Sequence, residues 1–202
     1  MLRLFFLGTL AILIGGCASV GKVENTSRFD ESNTPSYSVR TFQDKWRSDP
    51  NSLMLAFSGG GTRAAALSYG VLEELRNTKL PGSKNDRRLL DEVHSISSVS
   101  GGSFTAAYYG LHGDGIFEDY EQAFLRQDVQ GALINRLLNP FRWFCGLGRT
   151  EMAVDYYEDT FFKNATFADM QRLDGPIVVI NATDFARGVR FSFIQDYFDL
   201  LC

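Results

Sequence analysis

Leu53-Met54-Leu55-Ala56-Phe57-Ser58-Gly59-Gly60-Gly61-Thr62-Arg63 is the stretch whose reading decides the fold. Five apolar residues run without alternation, as expected of a strand covered on both faces. Three glycines then make a tight turn. From Thr62 the period changes: Ala65, Leu67, Tyr69, Val71, Leu72 and Leu75 mostly share one side of a helix, while Arg63, Glu73, Glu74 and Arg76 are polar. The same strand, turn and helix recur at Val93–Val99, Ser100-Gly101-Gly102 and the segment running to about Leu111, which Gly113 to Gly115 break. Pro176 to Asn181 reads as a third, buried strand, and Arg190 to Ile194 alternates like a fourth. Strands alternating with helices predict an α/β fold with a three-layer, mostly parallel sheet.

The chain has 202 residues, enough for one domain with a core of its own. Its formal net charge is -4 and it carries no basic run, which argues against a nucleic-acid partner. Pro81 to Asp86 reads as a loop. Phe117 to Phe162 reads as mostly helical, interrupted at Asn139-Pro140 and at Gly146-Leu147-Gly148. Its aromatics, among them Phe124, Trp143 and Phe161, fit core packing, or an apolar cap over a site that takes acyl chains.

The N-terminus reads as a sorting segment. Arg3 is a positive lead, Leu4 to Ile14 is an apolar run too short to span a bilayer comfortably, and Ile14-Gly15-Gly16-Cys17 resembles the lipobox of bacterial lipoproteins. In that reading residues 1–17 are a signal peptide and Cys17 becomes the lipidated first residue. Ala18 after it suggests the outer membrane. An ordinary secretory signal or an uncleaved anchor is the alternative. Residues 18 to about 50 are rich in Ser, Asn, Thr, Glu and Asp, and read as a flexible tether with Trp46 docking near its end. The folded region is expected over 51–202. Cys145 and Cys202 could pair in an oxidising compartment, although two separate thiols are the simpler expectation.

The two glycine-rich turns carry chemistry. A serine hydroxyl needs a neighbouring base to act as a nucleophile, and it must stand clear of the backbone. Ser98-Val99-Ser100-Gly101-Gly102 is a Ser-x-Ser-x-Gly form of the strand-to-helix elbow that meets the second need. Ser100 takes the nucleophile position, at a helix N-terminus whose partial positive charge favours an alkoxide. Gly59, Gly60 and Gly61 leave their amides uncovered by side chains, so these can converge on an anion. For acyl transfer that anion is the tetrahedral oxyanion, and losing one such donor costs about 3 kcal/mol of barrier. Arg63 would add charge there or lock the loop by a hydrogen bond. A phosphate-binding turn competes, but no Gly-Lys-Ser/Thr ending follows and the spacing does not fit a dinucleotide fingerprint.

The base is harder to find. His94 lies six residues before Ser100 on an extended strand, about 20 Å away. His112 lies near the far end of the following helix, about 18 Å away. Neither reaches Ser100, which leaves a carboxylate acting directly on the serine.

Leu55-Ala56-Phe57-Ser58-Gly59-Gly60-Gly61-Thr62-Arg63-Ala64-Ala65-Ala66, with Ile96-Ser97-Ser98-Val99-Ser100-Gly101-Gly102, resembles the patatin-like phospholipases. Ile180-Asn181-Ala182-Thr183-Asp184-Phe185 to Arg190-Phe191-Ser192-Phe193 resembles a further stretch of that family. The resemblance covers roughly residues 53 to 194. It implies a lipid acyl hydrolase with a Ser-Asp dyad, no metal and no cofactor, acting on membrane lipid or another acyl ester. Ser100 is then the nucleophile, Gly59, Gly60 and Gly61 the oxyanion loop, and Arg63 the family's basic residue.

Two departures stand out. Ser98 replaces the elbow's usual first glycine. The family's aspartate lies in Asp-Gly-Gly or Asp-Gly-Ala, whereas the Asp-Gly pairs here are Asp114-Gly115-Ile116 and Asp174-Gly175-Pro176. Asp184 matches a family position read as structural. The apolar ending Asp199-Leu200-Leu201-Cys202 carries no helix stop signal, which suggests the N-terminal portion of a longer enzyme or a truncated product. On that reading the sheet is incomplete at its C-terminal side, and the chain by itself has little or no hydrolase activity. A non-catalytic lipoprotein that keeps the fold for binding lipid or a partner is the alternative.

Overall fold

The computed structural model describes residues 37–48, 51–82, 86–129, 131–132, 134, 149–171 and 175–201. The chain divides into two compact units. One is residues 31–127 with 164–202, and the other contains 128–163. The lipobox with Cys17, most of the segment read as a tether, Cys145 and Cys202 lie outside the described residues.

The larger unit is built on a four-stranded sheet in the order β1 (Leu53–Phe57), β2 (Val93–Val99), β3 (Ile177–Asp184), β4 (Val189–Phe193). The first three strands are parallel, and β4 closes an antiparallel hairpin on β3. The α/β class and the mostly parallel sheet are as the sequence predicts. β3 continues three residues beyond Asn181 into the hairpin, because Thr183 and Asp184 still pair with Arg190 and Val189.

The helices α2 (Gly61–Asn77) and α3 (Gly101–His112) are the two crossovers of the parallel strands. Right-handed crossovers between strands in the order 1-2-3 must lie on one face of the sheet. The packing agrees with this. Gly102 abuts Phe57 and Gly110 abuts Val178, while Thr105 on α3 donates to the Ala65 carbonyl on α2 at 2.9 Å. Ala65, Leu72, Ile96, Ala106 and Val178 are fully buried there. Each large aliphatic among them contributes about 1.5–3 kcal/mol by leaving water. Phe124 stacks on Phe104 and Tyr120, so this aromatic is core, as the simpler of its two readings holds.

Gly70 lies on the exposed side of α2, and a Cβ built there meets nothing within 4 Å. Gly70→Ala is expected to raise stability by about 0.5–1 kcal/mol, because it narrows the unfolded ensemble without touching a neighbour. Denaturant unfolding checks it; a loss of stability would contradict the open surroundings.

The tether reading fails for its last part. Val39–Ser48 is a helix, α1, and Tyr37 and Phe42 are buried. The reason is a short apolar stripe, Val39, Phe42 and Trp46 at i, i+3 and i+7, which a composition averaged over a mostly polar segment dilutes. Tyr37 accepts a hydrogen bond at 2.6 Å from the Val178 amide on β3, where β4 has not yet begun. Burial pushes the Tyr37 phenol up to about 12, although this hydrogen bond works in the other direction. The first amide of α1, from Val39, is satisfied by the Asp196 carboxylate at 2.8 Å, from the short helix Gln195–Phe198. Trp46 stacks on His94 at 5.8 Å, so the docking expected of it is present. Val39 borders a cavity of about 370 Å³ with Ser97, Val179 and Asn181 on the sheet face opposite α2 and α3. On that face Met54, Ala56 and Val99 are exposed among the described residues.

In the smaller unit, Arg149–Tyr157 is α-helical and widens into a π-helical turn, Glu158–Phe162, with Phe161 buried. This accords with the helical reading of that segment.

Candidate active site

β1 and β2 are neighbours, and Phe57 pairs with Ser98. Both strands therefore end at the same level, and the two glycine-rich turns leave from the same end of the sheet. In α/β sheets this carboxyl end is where sites form.

Ser100 is the turning point between β2 and α3. It has φ 52 and ψ -124, a backbone conformation that costs a non-glycine residue about 1–3 kcal/mol. The side chain is exposed, and its hydroxyl has no hydrogen-bond partner among the described residues. The elbow is held by its neighbours. Gly101 is packed so closely against the Gly61 backbone that a Cβ would come within 2.8 Å of the Gly61 carbonyl carbon and nitrogen. At Gly102 a Cβ would lie 2.7 Å from the Phe57 Cβ and from the Ser58 carbonyl oxygen. The two turns thus interlock backbone against backbone, which only glycine permits.

Gly59 faces the serine: a Cβ built on it would sit 3.2 Å from the Ser100 Cβ and 3.8 Å from Oγ. Gly60 and Gly61 have φ 143 and 63, and Gly60 caps α2. Among the described residues Gly59 and Gly60 donate no backbone hydrogen bond, so their amides remain available. The structure thus brings Ser100 and the triglycine loop together. Arg63 stands in the first turn of α2, exposed, and makes no hydrogen bond or ion pair with any described residue. The lock expected of it is not formed; its charge near the loop is what remains.

Ser98 fits the elbow's first position because its hydroxyl donates to the Val179 carbonyl at 3.3 Å while the residue is buried. Beside it lies a group whose role the sequence did not disclose. The Asn181 side-chain amide donates to the Ser98 carbonyl and to Ser97 Oγ, each at 3.0 Å. The Ser192 hydroxyl in turn donates to Asn181 Oδ1 at 2.8 Å.

The titratable candidates for a base are engaged elsewhere. His94 is buried near the start of β2, bonded to Ser52 at 2.9 Å and stacked on Trp46. His112 packs on Tyr108 at the far end of α3, with ring centroids 4.2 Å apart. Asp114 is tied to Arg88 at 2.5 Å, in a cluster with Asp91. Burial would raise the Asp91 carboxyl, but the Arg88 hydrogen bonds and charge outweigh it and hold the group below its usual range. Asp184 caps the β3–β4 turn, accepting from the Ala186 and Arg187 amides at 2.9 and 3.3 Å. This is the structural role read for it. Asp174 lies outside the described residues.

The family model described as Patatin-like phospholipase matches residues 55–198, a span that contains both turns, the Asn181 cluster and the whole of β2, β3 and β4. No curated protein and no solved structure gives a significant match. The chain therefore belongs to the patatin-like phospholipase family, a family of lipid acyl hydrolases.

Proposed function

We propose that this protein is a lipid acyl hydrolase in which Ser100 is the nucleophile and the amides of Gly59, Gly60 and Gly61 receive the oxyanion. The carrying observation is the strained, exposed Ser100 with an uncovered triglycine backbone against it. Ser100 Oγ bonds to the ester carbonyl carbon and its proton passes to an aspartate. The carbonyl oxygen becomes anionic and is held by the loop amides, assisted by the α3 N-terminus. Collapse breaks the bond to the alcohol, which departs with the proton. Water then releases the acid and restores the serine. The aspartate belongs to a Ser-Asp dyad, and residues 1–202 hold no Asp-Gly-Gly or Asp-Gly-Ala to supply it.

The lipobox-like segment ending at Cys17 supports an acylated N-terminus at the bacterial outer membrane, which would hold the enzyme beside membrane lipid. A second reading, a fold kept for binding lipid or a partner without turnover, draws on one observation: no described carboxylate bonds to Ser100.

A fluorophosphonate probe applied to the full-length protein separates the two. The expected result is one label, mapped by mass spectrometry to the peptide holding Ser100 and lost in Ser100→Ala. Equal labelling of Ser100→Ala would sink the nucleophile assignment, and no labelling of a folded full-length protein would favour the binding role.

A further inference from the structure

Ser100 keeps an unfavourable backbone conformation, so something must hold the strand end that feeds it. Glycine packing fixes the helix side, through Gly101 and Gly102. On the strand side, Asn181 stands opposite Val99, the residue immediately before the nucleophile. Its amide nitrogen spans from β3 to β2, donating to the Ser98 carbonyl and Ser97 Oγ at 3.0 Å, with the Val179 carbonyl at 3.3 Å. Its oxygen accepts from Ser192 on β4. Ser192 is buried, and the Ser98 and Val179 carbonyls, which only accept, fix which way round the Asn181 amide sits. A hydroxyl donor on one side and a carbonyl acceptor on the other leave a single satisfied orientation.

We infer that Asn181 is a positioning residue for the nucleophile, clamping the last turn of β2 through the Ser98 carbonyl with Ser192 behind it. The inference rests on the hydrolase reading of Ser100. Asn181 does not touch the reacting atoms. It acts on where Ser100 Oγ stands relative to the Gly59 loop, and a displacement of about 1 Å at such a site costs about 100-fold in rate.

Asn181→Asp tests this with the shape unchanged: a carboxylate oxygen replaces the donor and faces the Ser98 carbonyl. In the full-length protein, fluorophosphonate labelling of Ser100 is expected to slow by about 100-fold. Turnover of an ester substrate should lose kcat with KM unchanged. Ser192→Ala should lose less, and Ser192→Thr, which keeps the hydroxyl, should recover the rate. Hydrogen exchange of the amides of residues 98–103 should rise in Asn181→Asp while those of α2 stay protected. Wild-type labelling rates in Asn181→Asp would overturn the inference. If that variant does not fold, wild-type rates in Ser192→Ala would do the same. If the wild-type protein takes no label, the hydrolase reading fails by itself, and unchanged exchange at residues 98–103 would still refute the clamp.

Discussion

Ser100→Gly is expected to abolish fluorophosphonate labelling and to make the protein more stable at the same time. The activity loss follows from removing the attacking oxygen, and ester turnover should fall by at least about 10⁴-fold. The stability gain follows from the backbone. At φ 52 and ψ -124 a Cβ is strained by about 1–3 kcal/mol, and glycine escapes that strain. Glycine also gains unfolded-state entropy, which takes back about 0.5–1 kcal/mol. Relief is the larger effect, so the net gain is about 1 kcal/mol, equivalent to about 2–4 °C in melting temperature for a chain of this size. Calorimetry beside the labelling assay measures both. A variant less stable than the parent would show that the elbow is not strained, and a labelled variant would remove Ser100 from the chemistry.

The next position should respond in the opposite sense. Gly101→Ala gains helix propensity, worth up to about 1 kcal/mol in the first turn of α3. Against that, the new Cβ would lie within 2.8 Å of the Gly61 carbonyl carbon and nitrogen. Those atoms are backbone, so no rotamer change relieves the overlap, and the two turns must part. The clash wins, at about 3 kcal/mol or more. A folded remnant should also label slowly, since parting the turns draws the Gly59 loop away from Ser100. Denaturant unfolding of Gly101→Ala beside Gly70→Ala isolates the effect, because both are Gly→Ala changes within a helix and only one has a neighbour to meet. Equal stability of the two variants would refute the interlocked turns.

Much of this site was readable from local chemistry. The buried strands β1, β2 and β3 announce themselves as apolar runs because parallel strands cover both faces. The turns announce themselves because glycine at positive φ is a local requirement, met at Gly60 and Gly61. The exclusion of His94 and His112 needed only the rise per residue of a strand and a helix. By contrast, α1 was lost in a polar average, since its stability comes from distant partners: the Val178 amide holds Tyr37, His94 stacks under Trp46, and Asp196 accepts from the Val39 amide. Arg63 could be named from its place in the motif, yet whether it bonds the loop depends on what stands within its reach.

The sequence by itself determined the order of strand, turn and helix, the serine at the elbow and the backbone left bare before it. These are properties of neighbours along the chain. Tertiary structure decided that Phe57 pairs with Ser98, so that the turns meet, and that Asn181 reaches the Ser98 carbonyl across 83 positions of sequence. Strand register and side-chain hydrogen bonds of that span depend on packing between distant segments. No period or motif within one segment encodes them.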